Sequence, residues 1–166
     1  SQRLFLAHRH LVLLLGNVDA PRYSVKERNT NHLLKSGCTA FICHPTVSHF
    51  RNGDPIPEAK TNEEWAQAGK EGKPAWCYYD NNPENGEKYG KLYNWYTVST
   101  GKLCPTGWHV PDELDWTTLT NYLGGDLVTG AKLKETGLAH WLSPNTGATN
   151  ESGFTALPSG SRLYNG

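Results

Sequence analysis

All six tryptophans of this chain stand beyond residue 50, and of its 17 glycines only Gly16 and Gly37 precede that point. The first 49 residues instead hold five of the seven histidines: His8, His10, His32, His44 and His49. This break divides the sequence into a divergent N-terminal segment, 1–49, and a module, 50–166, dominated by Trp, Tyr, Gly, Asn and Thr. The largest core-forming side chains therefore belong to the second segment. No internal repeat aligns.

At 166 residues the chain suits a single core that needs no staples. Its 16 basic and 16 acidic residues cancel, a poor balance for a nucleic-acid partner, whose phosphates must be neutralised. No run of about 18 apolar residues is present, so no ordinary membrane-spanning helix is expected. An uncharged, turn-rich surface fits an extracellular or cell-surface setting. Met is absent, which is expected of a mature or trimmed product. The opening SQRLFLAHRHLVLLLGNVDA imitates a secretion signal, but His8-Arg9-His10 interrupts it. A short amphipathic helix or buried strand is the preferred reading.

Local patterns place several elements. Thr61-Asn-Glu-Glu64 forms a capping box, with Trp65 and Ala68 facing inward and Gly69 ending the helix. Asp80-Asn-Asn-Pro-Glu-Asn-Gly86 reads as a loop of turn-formers. Tyr89, Leu92, Tyr93 and Tyr96 recur at helical spacing, with Trp95 and Val98 on an adjoining stripe, until Gly101. In CPTGWHVPDELDWTTL, Asp112 is an N-cap and Asp115 faces the positive end of the helix dipole. Trp116, Leu119 and Leu123 then make one apolar stripe closed by Gly124-Gly125. Trp108 and Trp116 read as packing partners at this helix entry.

Chemistry is sparsely marked. The chain lacks a GxSxG elbow, a P-loop and an HExxH. Asp112, Glu113 and Asp115 cluster as a glycosidase would require, yet capping already explains two of them. Cys104 and His109 have the types of a nucleophile–base pair, but Pro-Thr-Gly between them reads as a turn. Four cysteines allow three pairings, of which Cys38–Cys43 with Cys77–Cys104 is the simplest; buried thiols are the alternative. His8, His10 and His44 invite a metal, but zinc needs three or four converging ligands and the spacing requires none. No metal and no cofactor are expected. Asn150-Glu151 is a weak hint of calcium, which would need more oxygen ligands.

Binding has more material. Sugars are recognised by aromatic faces beside amides and carboxylates. Tyr78, Tyr79 and Asn81, with Asp80 and Asn82, make one such group; Trp141, Asn145, Asn150 and Glu151, with Thr149, make another. The competing explanation is that Trp141 anchors its loop and the asparagines cap turns.

The motifs FRNGDPIPEA, WCYYDNNPENGEKYGKLYNWYTV, GKLCPTGWHVPDELDWTTLTNYLGG and KLKETGLAHWLSPNTGATNESGFTALPSGSR resemble, in the same order, the Fibrobacter succinogenes major paralogous domain family. GWHVPDELDW is also similar to the helix-opening segment of formylglycine-generating enzyme relatives. The resemblance implies a C-type-lectin-like α+β fold: two helices against small, twisted antiparallel sheets with long loops. Two departures stand out. Residues 1–49 lack the hairpin tryptophan and Glu-Asn-Leu expected there, and the Trp-rich strands expected after Leu-Pro-Ser-Gly are missing at Asn165-Gly166. Three outcomes are open for an incomplete C-terminal end: residues 1–49 substitute for the strands, a partner chain completes the edge, or the sequence is a fragment; an uncovered sheet edge would favour a homo-oligomer.

The family carries no general catalytic signature. The expected function is a secreted or surface-attached bacterial module that binds a glycan or a partner protein without turnover. One alternative is a hydrolase on extracellular polysaccharide working through loop carboxylates, Glu113 and Glu151 foremost, with Asp112 and Asp115 behind them. The other is a structural or adhesive domain completed by a neighbouring chain.

Overall fold

The computed structural model describes residues 47–104 and 109–163. Their backbone forms two compact units, one of residues 47–104, 109–110 and 158–163, the other of residues 111–157. Expectations for residues 1–46 (the metal reading of His8, His10 and His44, and the Cys38–Cys43 pair) and for Trp108 lie outside the described residues.

The first unit opens with a hairpin whose turn is Phe50-Arg-Asn-Gly-Asp54. Phe50 N–H donates to the Asp54 carbonyl and Ile56 N–H to that of Ser48, both at 2.8 Å. Helix α1 (Asn62–Glu71) follows. The Thr61 hydroxyl accepts from Glu64 N–H at 3.2 Å, and the Glu64 carboxylate takes the N–H of Lys60 at 2.6 Å. The reciprocal bond thus lands one residue before the N-cap. The helix continues through Gly69 to Gly72, whose left-handed φ of 69° lets its N–H reach the Ala68 and Gly69 carbonyls. Gly69 was expected to stop it. It does not, because a terminating glycine must turn left-handed and Gly69 stays helical.

Strands β1 (Trp76–Cys77) and β2 (Leu92–Tyr93) pair antiparallel, with Trp76 opposite Tyr93 and Cys77 opposite Leu92. Glu58 adds a parallel bridge to Trp76. Successive side chains on a strand point to opposite faces, and both faces of this ribbon are covered. Ala59, Trp65, Ala75, Cys77 and Leu92 form one buried cluster; Ile56, Trp76, Tyr93 and Leu103 form the other.

Two local expectations are overturned between the strands and after them. The Asp80–Gly86 segment is a short 3-10 turn (Tyr79–Asn81) followed by helix α2 (Pro83–Tyr89). Asn82 caps α2 by accepting from Glu84 N–H at 3.0 Å, and Pro83 occupies the first turn, where a missing N–H costs nothing. The Tyr89–Tyr96 run is not one helix but β2 followed by the single turn α3 (Trp95–Val98). Pairing with β1 overrides a 3.6-residue periodicity only two turns long.

In the second unit, α4 (Glu113–Tyr122) begins as expected. Asp112 Oδ1 accepts from Leu114 and Asp115 N–H at 2.8 and 3.0 Å, and Asp115 Oδ2 takes Asp112 N–H at 3.0 Å. Gly124 and Gly125, both at positive φ, lead into α5 (Asp126–Leu133). Leu119, Leu123 and Leu133 form the buried cluster of this unit, with Trp116, Phe154 and Ala156 packed on it. The last carbonyls of α5 have no partner within the helix. The 149–156 loop satisfies them: Thr149 N–H reaches Ala131 O at 2.9 Å, Ser152 N–H reaches Lys132 O at 3.1 Å, and Ala156 N–H reaches Leu133 O at 2.8 Å.

The architecture is α+β, short helices with a small antiparallel sheet. Among the described residues no helix is long and apolar enough to cross a membrane.

Candidate functional site

Tyr78 and Tyr79 leave β1 in opposite senses. Tyr78 packs edge-on against Trp76, with ring centroids 5.1 Å apart at 78°. A Cβ on Gly86 would lie 2.1 Å from the Tyr78 ring, so α2 approaches that ring only because residue 86 is glycine. Tyr79 lies against Gly160 in the same manner and keeps 41% of its surface in solvent. Asn81 is drawn into a polar node. Its Oδ1 accepts from Arg162 Nη1 at 2.6 Å, and its Nδ2 donates to Asn62 Oδ1 at 3.1 Å. Arg162 also donates to Asn62, lies 5.4 Å from the centroid of the Trp65 ring, and is 8% exposed. No carboxylate pairs with it among the described residues.

Cys77 is a buried thiol beside this guanidinium, so the Cys77–Cys104 disulfide is not formed. Burial pushes the thiol up to about 11, with Arg162 partly opposing. Desolvation dominates because a thiolate would lose its water entirely.

A second polar node holds α3. Asn94 Oδ1 accepts from Ala75 N–H at 3.1 Å, Thr97 N–H at 3.0 Å and the Thr97 hydroxyl at 2.9 Å, while Nδ2 donates to Lys73 O at 2.8 Å. Both residues are buried. Between them Trp95 and Tyr96 point outward, 45% and 37% exposed. Two buried anchors, Asn94 and Thr97, bracket the two displayed rings on the surface. Trp95 was expected on a helical stripe with Val98 and not at a binding site; the signal in the sequence is the pair Trp95-Tyr96 between a capping Asn94 and Thr97.

The remaining candidates belong to the second unit. Trp141 donates its indole N–H to Ala156 O at 3.0 Å, and Lys134 Nζ stands 4.3 Å over the ring. Asn145 Nδ2 bridges the carbonyls of Glu135 and Gly137 at 3.0 and 2.8 Å, and its buried Oδ1 accepts nothing. Trp141 and Asn145 therefore converge on the 134–137 stretch, where Glu135 also holds His140 Nδ1 at 2.9 Å. Asn150 staples its own loop, accepting from Thr155 N–H at 2.7 Å and donating to Thr155 Oγ1 at 2.9 Å. Glu151 is exposed and sits 3.4 Å from Lys132 Nζ. Glu113 is exposed in the first turn of α4. Among the described residues no group of three or more His, Cys, Asp or Glu side chains is placed to hold a metal ion.

Short helices, a minimal sheet and long hydrogen-bonded loops that carry aromatics define a loop-rich α+β domain. Residues 44–166 match the Fibrobacter succinogenes major domain, and the chain belongs to that family. No curated protein and no solved structure matches it.

Proposed function

We propose that this chain is a glycan-binding module of a secreted or surface-attached bacterial protein, C-type-lectin-like in architecture and without catalytic turnover. One observation carries the reading: Trp95 and Tyr96 stand in solvent while the residues on either side of them are buried. Surface aromatics held in one orientation supply stacking area at little entropic cost, which is what a sugar ring's apolar face needs. Tyr79 adds a third exposed ring in the same unit. Three of the four carboxylates offered for hydrolysis have other partners: Asp112 and Asp115 close the capping box, and Glu151 faces Lys132, while Glu113 stands exposed in the first turn of α4.

Affinity electrophoresis on a panel of plant and bacterial polysaccharides tests this. Retention by at least one of them, lost in Trp95→Ala and kept in Trp141→Ala, is the expected result. Failure of the wild type to be retained by any, or retention indifferent to Trp95→Ala, overturns it. Reducing-sugar release abolished by Glu113→Gln or Glu151→Gln would instead favour hydrolysis.

A further inference from the structure

Between α1 and the Pro57–Ala59 segment runs an open groove of about 520 Å³, within the range of small-ligand sites. Its floor is made by Ala59, Ala68, Pro74 and Ala75, whose short side chains leave the space between helix and sheet unfilled. Glu58, Glu63, Glu64 and Glu71 line the same groove. Lys73, the one cation in the lining, is tied to Glu71 at 2.7 Å. Lys70 lies near Glu71 and Lys91 near Glu58, the latter with its ammonium 3.7 Å over the Trp76 ring. At one end, between groove-lining Glu71 and Lys73, Gly72 carries the Tyr96 ring, 3.5 Å from where its Cβ would be.

An apolar floor, carboxylate walls and an aromatic at one end match a sugar chain that bears positive charge. We propose that this groove binds the amine-bearing residues of a cationic glycan, an oligomer of glucosamine with free amino groups. The inference rests on the glycan reading above and narrows it. Sugar C–H faces lie on the alanine floor, ammonium groups meet the glutamates, and the chain leaves across Tyr96 towards Trp95. Uronic-acid or sulfated glycans are turned away by the same carboxylates, since like charges brought together in a groove repel. Glu63 and Glu71 are held below the ordinary carboxylate range, Glu63 first by its backbone N–H and then by Thr61, Glu71 first by Lys73 and then by Gln67. Both remain ionised in mild acid, where the sugar amines are charged.

Calorimetric titration of the full chain with a glucosamine tetramer and its N-acetylated counterpart provides the test. At about pH 5.5 the free-amine oligomer is expected to bind about tenfold more tightly, the effect of two solvent-exposed ion pairs. Raising the pH until the amines are neutral, or adding salt, removes the difference. Glu58→Gln combined with Glu63→Gln is expected to remove most of it in a protein that still melts cooperatively. Equal affinity for the two oligomers, both lost in Trp95→Ala, overturns the groove assignment and leaves glycan binding standing. A preference untouched by the double substitution in a folded protein also overturns the assignment. Binding of neither oligomer, with retention on some other neutral polysaccharide, does so as well. No binding to any glycan defeats both readings.

Discussion

Arg162 and Asn81 lie 81 positions apart in the chain, and the guanidinium donates to the amide oxygen at 2.6 Å. With Asn62 as second acceptor and the Trp65 ring nearby, a buried cation is solvated by neutral dipoles and a π face rather than by an acid. The node ties the 158–163 stretch to the start of α1 and to the turn after β1, and Trp65 reinforces it by donating to Leu163 O at 2.8 Å.

Arg162→Ala is expected to cost about 1–3 kcal/mol, because exposed Asn62 and half-buried Asn81 lose a charged donor and a buried side chain loses its packing. Arg162→Lys recovers little of it, since one ammonium does not reproduce the planar fork that meets both oxygens. Urea denaturation of the three proteins checks both statements.

Asn94 makes more of the α3 node than Thr97 does. Thr97→Val keeps the shape and loses one hydroxyl, a cost of about 1–2 kcal/mol. Asn94→Ala removes the acceptor shared by Ala75 and Thr97 together with the donor to Lys73 O, and is expected to cost about 2–3 kcal/mol. The double variant should depart from the sum, because the two side chains bond each other at 2.9 Å and share the buried N–H of Ala75. Ala75 N–H also has the Thr97 hydroxyl as acceptor at 2.9 Å, so amide exchange at Ala75 rises most in the double variant, where both acceptors are gone.

Gly86→Ala sets helix propensity against packing. Alanine gains about 1 kcal/mol over glycine in a helix interior. The new methyl would stand 2.1 Å from a Tyr78 ring already wedged against Trp76, and overpacking of that kind costs about 1–3 kcal/mol. The net effect is expected to be destabilising, and in a Tyr78→Ala background the same substitution becomes neutral or favourable. Thermal melts of the four proteins of this cycle decide it.

Cys77 makes stability fall at high pH. Its thiol titrates at about 11 in the folded state, above the ordinary thiol range, so on raising the pH the unfolded chain releases this proton first. The contribution is fully present below about pH 8.5 and is lost as the pH climbs towards the folded value, a total of about 2–3 kcal/mol. Cys77→Ala should flatten that part of the stability curve relative to wild type. In the native protein at about pH 8, Cys77 should resist alkylation until denaturant is added.

Helix starts were legible because a cap is a local event. Thr61 and Asp112 each meet an N–H two or three residues away, so residue type and spacing carry the geometry. The same held for the Leu119 and Leu123 stripe, which one helix places on one face. Asn82-Pro83 carried an equally local start signal, and the turn-formers around it hid the helix. The candidate site was less readable. Asn81, Asn145 and Asn150 were picked out as residue types fit for sugars, and each has bonds within its own unit that a one-dimensional reading does not contain.

Sequence alone settled the N-caps Thr61 and Asp112, the apolar stripe of α4 and the family, since these depend on neighbours within a few positions or on motifs kept in order. Folding in three dimensions assigned Leu92 and Tyr93 to a strand, turned Trp95 outward and brought Arg162 to Asn62 and Asn81. Each of those outcomes pairs groups far apart along the chain. Their free energy comes from hydrogen bonds and burial that exist only once both partners have been brought together.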